Sequence, residues 1–334
     1  MDILTQGLLG AVSAQAGARR EEVRVAAGVG FGAALLADAD ALIRSSSDPL
    51  LYLEYHRHFT HSLFFVPAGA LVAAVVLWPL LRRRLAFARL YLFALLGFAL
   101  AGFLDVCTSY GTHWLWPLVE RRLALNIISI VDPVFSLILI TALVLALRRY
   151  AVRAARLGLV LAAGYLLLGV VQHERAAAAA AELAATRGHE VERGLVKPTL
   201  GNLVLWRSVY EAAGRFHVDA VRVGVTGTRI YEGESVAVFT PGTDATLVPP
   251  DSVQGEDIRR FARFSEGYLF LDPTRAHGVG DARYAMLPDR LDPLWGIRLD
   301  PEAPHRHADY EVYRAMSAAD RQRFVDMLLG RGVD

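Results

Sequence analysis

The run from Ser62 to Leu81 limits what this chain can fold into more than any other feature, because its twenty residues include no charge. A bilayer core about 30 Å thick is crossed by roughly 20 helical residues, each of which rises about 1.5 Å. The run therefore predicts a membrane-spanning helix. Hydrophobic residues make up 54% of the 334 residues, a share that favours a membrane protein over a water-soluble one.

Five further apolar segments lie within the first 172 residues, and the same reasoning applies to them. They are found at 3–18, 25–42, 87–104, 127–147 and 157–171. The first two are the least apolar, so the sequence predicts a mainly α fold with a polytopic membrane bundle of four to six helices. The first segment starts with an acid where a signal peptide carries basic residues, so we expect it to stay in the protein.

Three regions follow from these patterns. Residues 1–173 are expected to form the membrane helix bundle, and residues 174–194 a helical linker. Its alanine-rich run favours continuation of the last helix up to Gly188. Residues 195–334 alternate charged, β-branched and turn residues, which predicts a small α+β soluble domain with an amphipathic helix at 318–330.

Arginine placement predicts the orientation of the bundle. Eleven arginines lie in the loops at 19–24, 82–89 and 148–156, whereas the alternate loops hold four. Arginine-rich short loops stay in the cytoplasm. We therefore expect a multi-pass inner-membrane protein whose remaining loops and C-terminal domain are extracytoplasmic.

Charge and cysteine content exclude two classes of function. The net charge is +1, so the chain offers no basic face of the kind that binds nucleic acid. A single cysteine excludes an internal disulfide and a CxxC zinc or redox site. Nothing in the composition indicates an oligomeric state.

The sequence HRHFTHS, which precedes the uncharged run, is either a metal site or a polar collar at the membrane interface. On a continuous helix His58 and His61 would be neighbours, whereas in a loop His56 and His61 can converge. Ser62 is a favourable N-cap for the next helix, so a loop is expected before it.

Several aspartates stand at the ends of apolar segments, where an ionised carboxylate is costly unless it is paired, hydrated or bound to a cation. Asp38 and Asp40 end one segment and could simply face water there, or one of them could bind a metal. Asp105 has no Lys or Arg within fifteen positions, so a metal ion or backbone donors must compensate it. Asp132 precedes Pro133 and is expected to cap a helix, while His113 lies beside tryptophans typical of an interface.

Taken together, five stretches resemble the YdjM-like family of membrane-bound, metal-dependent hydrolases, which is also described as LexA-regulated. They are MDILTQGLLGA, LLADADAL, HRHFTHS, FLDVCTSYGTHWLWPL and ISIVDPVFSL. PTLGNLVLWR and GDARYAMLP are similar to the C-terminal part of longer members. The resemblance covers most of the chain, and it is carried by the joint order and spacing of the motifs.

The resemblance implies a divalent metal, zinc or manganese, at one membrane face. Three positions depart from the family pattern: Gln6 stands where many members have a histidine, Ala101 replaces the histidine of HxxxD, and Ala37 replaces a proline. A glutamine oxygen binds zinc less tightly than an imidazole does, so the site is expected to be reduced. The implied metal ligands are Asp38, Asp40, His56, His61 and Asp105, with Gln6 as a further candidate.

Two functional hypotheses follow. In the first, a metal-activated water cleaves a phosphoester or ester of an amphiphilic, lipid-like substrate, with Asp40 as general base and Asn202 and Arg207 above the site. In the second, the metal is a structural clamp and the C-terminal domain binds an envelope lipid or a partner. A transporter is disfavoured, because no second charged set appears at the cytoplasmic end to make an alternate gate.

Overall fold

The protein is described by a computed structural model over residues 1–242 and 247–333. The chain divides into two compact units. The helical unit comprises Met1–Ile43, Tyr55–Val171 and Leu200–Leu203, and the sheet unit comprises Arg44–Glu54, Gln172–Thr199 and the described residues from Val204 onward. The segment Arg44–Glu54 therefore belongs to the sheet unit, although both of its flanks belong to the helical unit.

The prediction of a mainly helical bundle followed by a small α+β domain is confirmed. The helices are α1 (Ile3–Ala16), α2 (Val23–Ala37), α3 (Leu51–Tyr55), α4 (Val66–Leu81), α5 (Phe87–Cys107), α6 (Pro133–Arg149), α7 (Val152–Thr186), α8 (Val253–Phe264) and α9 (Ala318–Leu329). Two short 3₁₀ helices, Asp38–Leu42 and Phe59–His61, are important for the site.

Among the described residues, three helical stretches are long and apolar enough to cross a membrane: Arg20–Leu42, Phe87–Cys107 and Val152–Thr186. A fourth results if Leu51–His61 and Val66–Leu81, bent by 88°, count as one span. Helix α1 has only 14 residues and is buried along most of its length. Burial among other helices explains its small residues. Small side chains let a buried helix pack closely against its neighbours, whereas large apolar side chains are needed only where a helix faces lipid.

Close contact between three helices depends on glycine. A Cβ on Gly10 of α1 would lie 2.5 Å from the carbonyl oxygen of Gly30 in α2, and a Cβ on Gly97 of α5 would lie 2.3 Å from the same oxygen. No larger residue fits at either position without moving a backbone. Glycines of this kind let membrane helices approach closely, and here they bring α1, α2 and α5 together.

One local prediction is wrong. Ser62 does not cap α4, which begins at Val66 after a 3₁₀ helix and a turn. The Ser62 hydroxyl instead donates to the carbonyl oxygen of Trp116. By contrast, Asp132 caps α6 as expected, because its Oδ1 accepts from the backbone N–H groups of Val134 (3.1 Å) and Phe135 (3.0 Å).

The sheet unit contains two antiparallel four-stranded sheets, each with its strands in sequence order. The first consists of β1 (Arg193–Pro198), β2 (Leu205–Ala212), β3 (Arg215–Val223) and β4 (Thr228–Ala237), and the second of β5 (Leu269–Leu271), β6 (Gly278–Asp281), β7 (Trp295–Arg298) and β8 (Asp309–Val312). Helix α9 starts with a capping box between Ser317 and Asp320, which confirms the expected closing helix.

Candidate metal centre

Three acidic or imidazole side chains of the helical unit meet at one point. Asp38, His61 and Asp105 each offer a ligand atom, and these atoms lie within 4.8 Å of one another. Asp38 begins the 3₁₀ helix after α2, His61 ends the 3₁₀ helix before α4, and Asp105 lies in the last turn of α5. All three elements therefore contribute to the same end of the bundle.

The imidazole of His61 is the centre of this group. Its Nε2 lies 3.0 Å from Oδ2 of Asp105 and 3.4 Å from Oδ1 of Asp38. Within the described part of the chain, Nε2 nevertheless forms no hydrogen bond with good geometry. A buried imidazole nitrogen this close to two carboxylates forms ion pairs with them when it is protonated. When it is neutral, the same arrangement is the one expected of three ligands around a shared cation.

Asp40 holds the histidine loop in place. Its Oδ2 accepts hydrogen bonds from the backbone N–H of Arg57 at 2.8 Å and from the Thr60 hydroxyl at 2.5 Å, and it lies 3.4 Å from Nδ1 of His61. Its Oδ1 lies 3.2 Å from Nδ1 of His56. Both oxygens of Asp40 are therefore engaged in contacts within this loop. Asp40 orients His61 by contacting Nδ1, the ring nitrogen that faces away from the candidate metal position.

Asp105 is buried and is compensated by groups far from it in sequence. The guanidinium Nη1 of Arg57 lies 3.3 Å from Oδ1, and the Gln6 amide donates to Oδ2 at 2.7 Å. The amino group of Met1 also contacts Oδ1. With its amide nitrogen on Asp105, Gln6 reaches a candidate ligand, and its own Oε1 is buried without a hydrogen-bond partner among the described residues.

The side-chain charges favour a cation at this position. Three carboxylates, those of Asp38, Asp40 and Asp105, face one guanidinium, that of Arg57. With the Met1 amino group charged and His61 neutral, as a metal-bound imidazole is, one negative charge remains. Unpaired buried charge is strongly unfavourable, so a divalent cation suits the site. A donor set of one imidazole and two carboxylates is compatible with zinc or manganese and identifies neither.

The other two histidines of the HRHFTHS stretch lie outside the three-donor group. His56 contacts Asp40 and is not part of the three-donor group. The ring of His58 packs on that of His113, with centroids 4.4 Å apart, and on Trp116 at 5.5 Å. The loop after α5 also holds the histidine loop, because the Thr112 hydroxyl donates to the carbonyl oxygen of Arg57 at 2.8 Å.

The two residues predicted to lie above the site have local contacts. The Asn202 amide donates to the carbonyl oxygen of Leu200 at 3.1 Å. Arg207, in β2 of the sheet unit, is buried and donates to the carbonyl oxygens of Leu287, Pro288, Arg290 and Ala282 at 2.7 to 3.2 Å. These bonds give Arg207 a structural role inside its own unit.

Sequence reasoning missed two residues of the site. Arg57 has a left-handed backbone with φ of 59°, and its side chain reaches Asp105. Gly102 lies one helical turn before Asp105, and a Cβ there would lie 2.5 Å from the carbonyl oxygen of His61. The glycine three positions before Asp105 could have indicated this contact, because a small residue in a membrane helix allows another segment to approach closely.

Comparison with known proteins gives a family match over the first half of the chain. The sequence profile of the family described as "YdjM inner membrane protein" matches residues 1–176, which include every member of the three-donor group. The chain belongs to the YdjM family. The match ends at residue 176, shortly after the chain enters the sheet unit again at Gln172.

One relative is similar to a larger share of the chain than the family profile covers. The uncharacterized protein YfhP of Bacillus subtilis (strain 168) is 26% identical over 238 residues, which cover 69% of this chain and 67% of that protein. No solved structure matches the chain. YdjM membership and the apolar helices together identify a membrane protein with a candidate metal centre.

Proposed function

We propose that this protein is a membrane-bound, metal-dependent hydrolase that cleaves a phosphoester or another ester of an amphiphilic substrate. The observation that carries the proposal is the arrangement around His61, whose Nε2 lies beside two carboxylates without a hydrogen bond in the described chain. A divalent cation held there, zinc or manganese, would polarise the substrate oxygen and lower the pKa of a water toward neutrality.

We assign three roles to the side chains of the site: metal binding, orientation of His61 and proton transfer. Asp38, His61 and Asp105 hold the cation, and Asp40 fixes the orientation of His61. Since both oxygens of Asp40 are engaged, we assign the proton transfer to His56 instead of the general-base role first predicted for Asp40. His56 is oriented by Asp40, and its side chain is 14% exposed, so it can exchange a proton with a substrate.

The position of the site supports an amphiphilic substrate. The three donors follow or precede apolar helices, α2, α4 and α5, at one end of the bundle. A substrate with an apolar tail could reach this end from the membrane while its polar head approaches the donors. The orientation predicted from the arginines puts this end on the extracytoplasmic side of the inner membrane.

A structural clamp is the second candidate, and burial favours it. His61 and Asp105 are 1% and 0% exposed, and the Asp38 side chain is 10% exposed. Structural metal sites are closed, whereas catalytic ones keep a position open for water or substrate. In this alternative the cation joins α2, α4 and α5, and the sheet unit binds an envelope lipid or a partner.

The decisive experiment combines metal analysis with hydrolysis assays on the detergent-purified protein. Asp105→Asn keeps the shape of the side chain but removes a charged ligand, so bound metal and turnover of a panel of phospholipids, phosphomonoesters and carboxylesters should fall, turnover by roughly a hundredfold. His58→Ala, from the same loop but outside the three-donor group, should keep both. Stoichiometric metal without turnover of any panel member would favour the clamp.

A further inference from the structure

The helical unit has a groove at the end opposite its metal centre. The groove encloses about 300 Å³ between α2 and the C-terminal end of α4. Six of its eight lining residues are apolar or glycine, and the other two are Arg24 and Arg84. Arg24 lies 14 positions before Asp38, which corresponds to roughly 20 Å along the helix, so the groove is separate from the candidate metal centre.

The two arginines are not neutralised by the protein. Throughout residues 1–242 and 247–333, no carboxylate forms an ion pair with Arg24 or Arg84. Arg24 lies over the ring of Tyr150, with its Cζ 4.8 Å from the centroid, which orients the guanidinium and leaves its charge. The nearby Glu22 is already paired with Arg89, whose Nε lies 3.1 Å from Oε1.

The walls indicate a ligand with an apolar part. Leu80 is 78% exposed, and Val25 and Leu77 are half-buried, so the groove opens on an apolar surface of a membrane helix. A volume of about 300 Å³ is at the lower end of the range for small-molecule sites and suits one segment of a lipid chain. Basic pockets between membrane helices bind the head groups of anionic lipids.

We propose that this groove binds an anionic phospholipid, with one acyl chain along Gly28 and the phosphate at Arg24 and Arg84. The apolar walls disfavour a free phosphate, and the two uncompensated guanidinium groups favour a net negative head group over a zwitterionic one. This inference does not depend on the proposed hydrolase activity, because its residues lie at the other end of the bundle.

Two glycines of α2 provide a matched pair of variants. A Cβ on Gly28 would meet no atom within 4 Å, so Gly28→Leu would fill the groove without a backbone clash. Gly32, one turn further along the same helix, is equally open but does not line the groove. Gly32→Leu therefore controls for the effect of a leucine on α2 itself.

The test measures lipid retention by native mass spectrometry of the full chain, released from micelles with dioleoyl phosphatidylglycerol or dioleoyl phosphatidylcholine. Wild type and Gly32→Leu should prefer the glycerol lipid, whereas Gly28→Leu should lose that preference. Each arginine should contribute roughly fivefold to affinity, so Arg24→Gln with Arg84→Gln should weaken phosphatidylglycerol binding roughly 25-fold, while Arg148→Gln with Arg149→Gln should not.

Three results would overturn the proposal. If wild type retained the two lipids equally, the arginines would not select an anionic head group. If both leucine variants lost the lipid equally, the groove would not be the binding site. Displacement of the lipid by glycerol phosphate alone would show that the site recognises a free phosphate ester. If Gly28→Leu unfolds, the double arginine variant decides the matter, because both of its positions are exposed.

Discussion

The carbonyl oxygen of His61 packs directly against Gly102 of α5, where a Cβ would lie 2.5 Å from it. This contact positions His61 relative to Asp105, one turn further along the same helix, with Nε2 and Oδ2 3.0 Å apart. The absence of a side chain at Gly102 is therefore a condition for the three-donor group to form.

Gly102→Ala should displace His61 and reduce metal binding. The added methyl group must move either the loop or α5, which typically costs about 1–3 kcal/mol of unfolding free energy. Metal content and the thermal unfolding midpoint of the purified protein measure the two effects. Gly164→Ala on α7 is the control, because a Cβ there meets nothing within 4 Å. Unchanged metal content in Gly102→Ala would show that the contact does not position His61.

Gln6→His should tighten metal binding, because the Gln6 side chain already reaches Asp105 and an imidazole would add a nitrogen ligand. Gln6→Leu should weaken binding roughly tenfold or more, since Asp105 loses an orienting hydrogen bond. Equilibrium titration with zinc measures both. Gln15→Leu, a change at another buried glutamine of α1, should leave the affinity unaltered; a decrease equal to that of Gln6→Leu would point to a general packing effect.

Stability should depend on pH through His113. Burial, the Arg122 guanidinium and the His58 ring lower the pKa of His113 to about 3, compared with about 6.5 in the unfolded chain. Between these values the unfolded state binds more protons, so the unfolding free energy contributed by His113 is complete above pH 6.5 and declines as the pH falls toward 3. Unfolding midpoints from pH 7.5 to pH 4 should fall less in His113→Gln than in wild type; parallel curves would contradict this assignment.

Arg260 of α8 should control the segment Arg44–Glu54 within the sheet unit. Its guanidinium contacts Asp48 at 2.9 Å and Glu54 at 2.6 Å, and its side chain is 10% exposed. Arg260→Gln should therefore speed proteolytic cleavage in this segment, as measured by limited proteolysis with mass spectrometry. Arg259→Gln removes an exposed pair with Glu256 and a hydrogen bond to the carbonyl oxygen of Pro250, neither of which involves the segment, and should leave the cleavage rate unchanged. Equal rates in the two variants would show that the pairs do not hold the segment.

Topology can be tested with reporter fusions. The arginine distribution predicts that a reporter inserted at Arg84 is cytoplasmic and that one fused after Asp334 is extracytoplasmic. Alkaline phosphatase and green fluorescent protein give opposite signals in the two compartments. The reverse pattern would move the metal centre to the cytoplasmic face.

The sequence was informative about carboxylates in apolar segments, because a buried charge there needs a compensating partner. Asp105 had no Lys or Arg near it in sequence, which predicted compensation by a metal ion or by backbone donors. His61 lies beside it as the proposed metal site requires, whereas the contact with Arg57 was not predicted. The choice between Asp38 and Asp40 was not predictable from a helical pattern, because the backbone changes to a 3₁₀ helix at Asp38. The two carboxylates thereby face different nitrogens of one imidazole.

The remaining features depend on tertiary contacts that leave little trace in a sequence. A membrane helix is apolar on its buried side and on its lipid-facing side alike. The sequence therefore did not indicate which side of α5 contacts the histidine loop. Arg57 resembled an ordinary interfacial arginine, and its left-handed backbone follows from the loop bonds to Asp40 and Thr112. The role of Arg207 was hidden for the same reason, since its acceptors come from a distant loop.

The three donors are separated widely along the chain, and this spacing sets an order of events during biosynthesis. Asp38 and His61 leave the ribosome before α5 exists, and Asp105 comes at the end of that helix. The donor group is therefore incomplete until α5 has been inserted and has docked on Gly30 through Gly97. A cation bound by this group would therefore be captured only when the bundle is complete, and a chain whose α5 fails to insert would present Asp38 and His61 without their third donor.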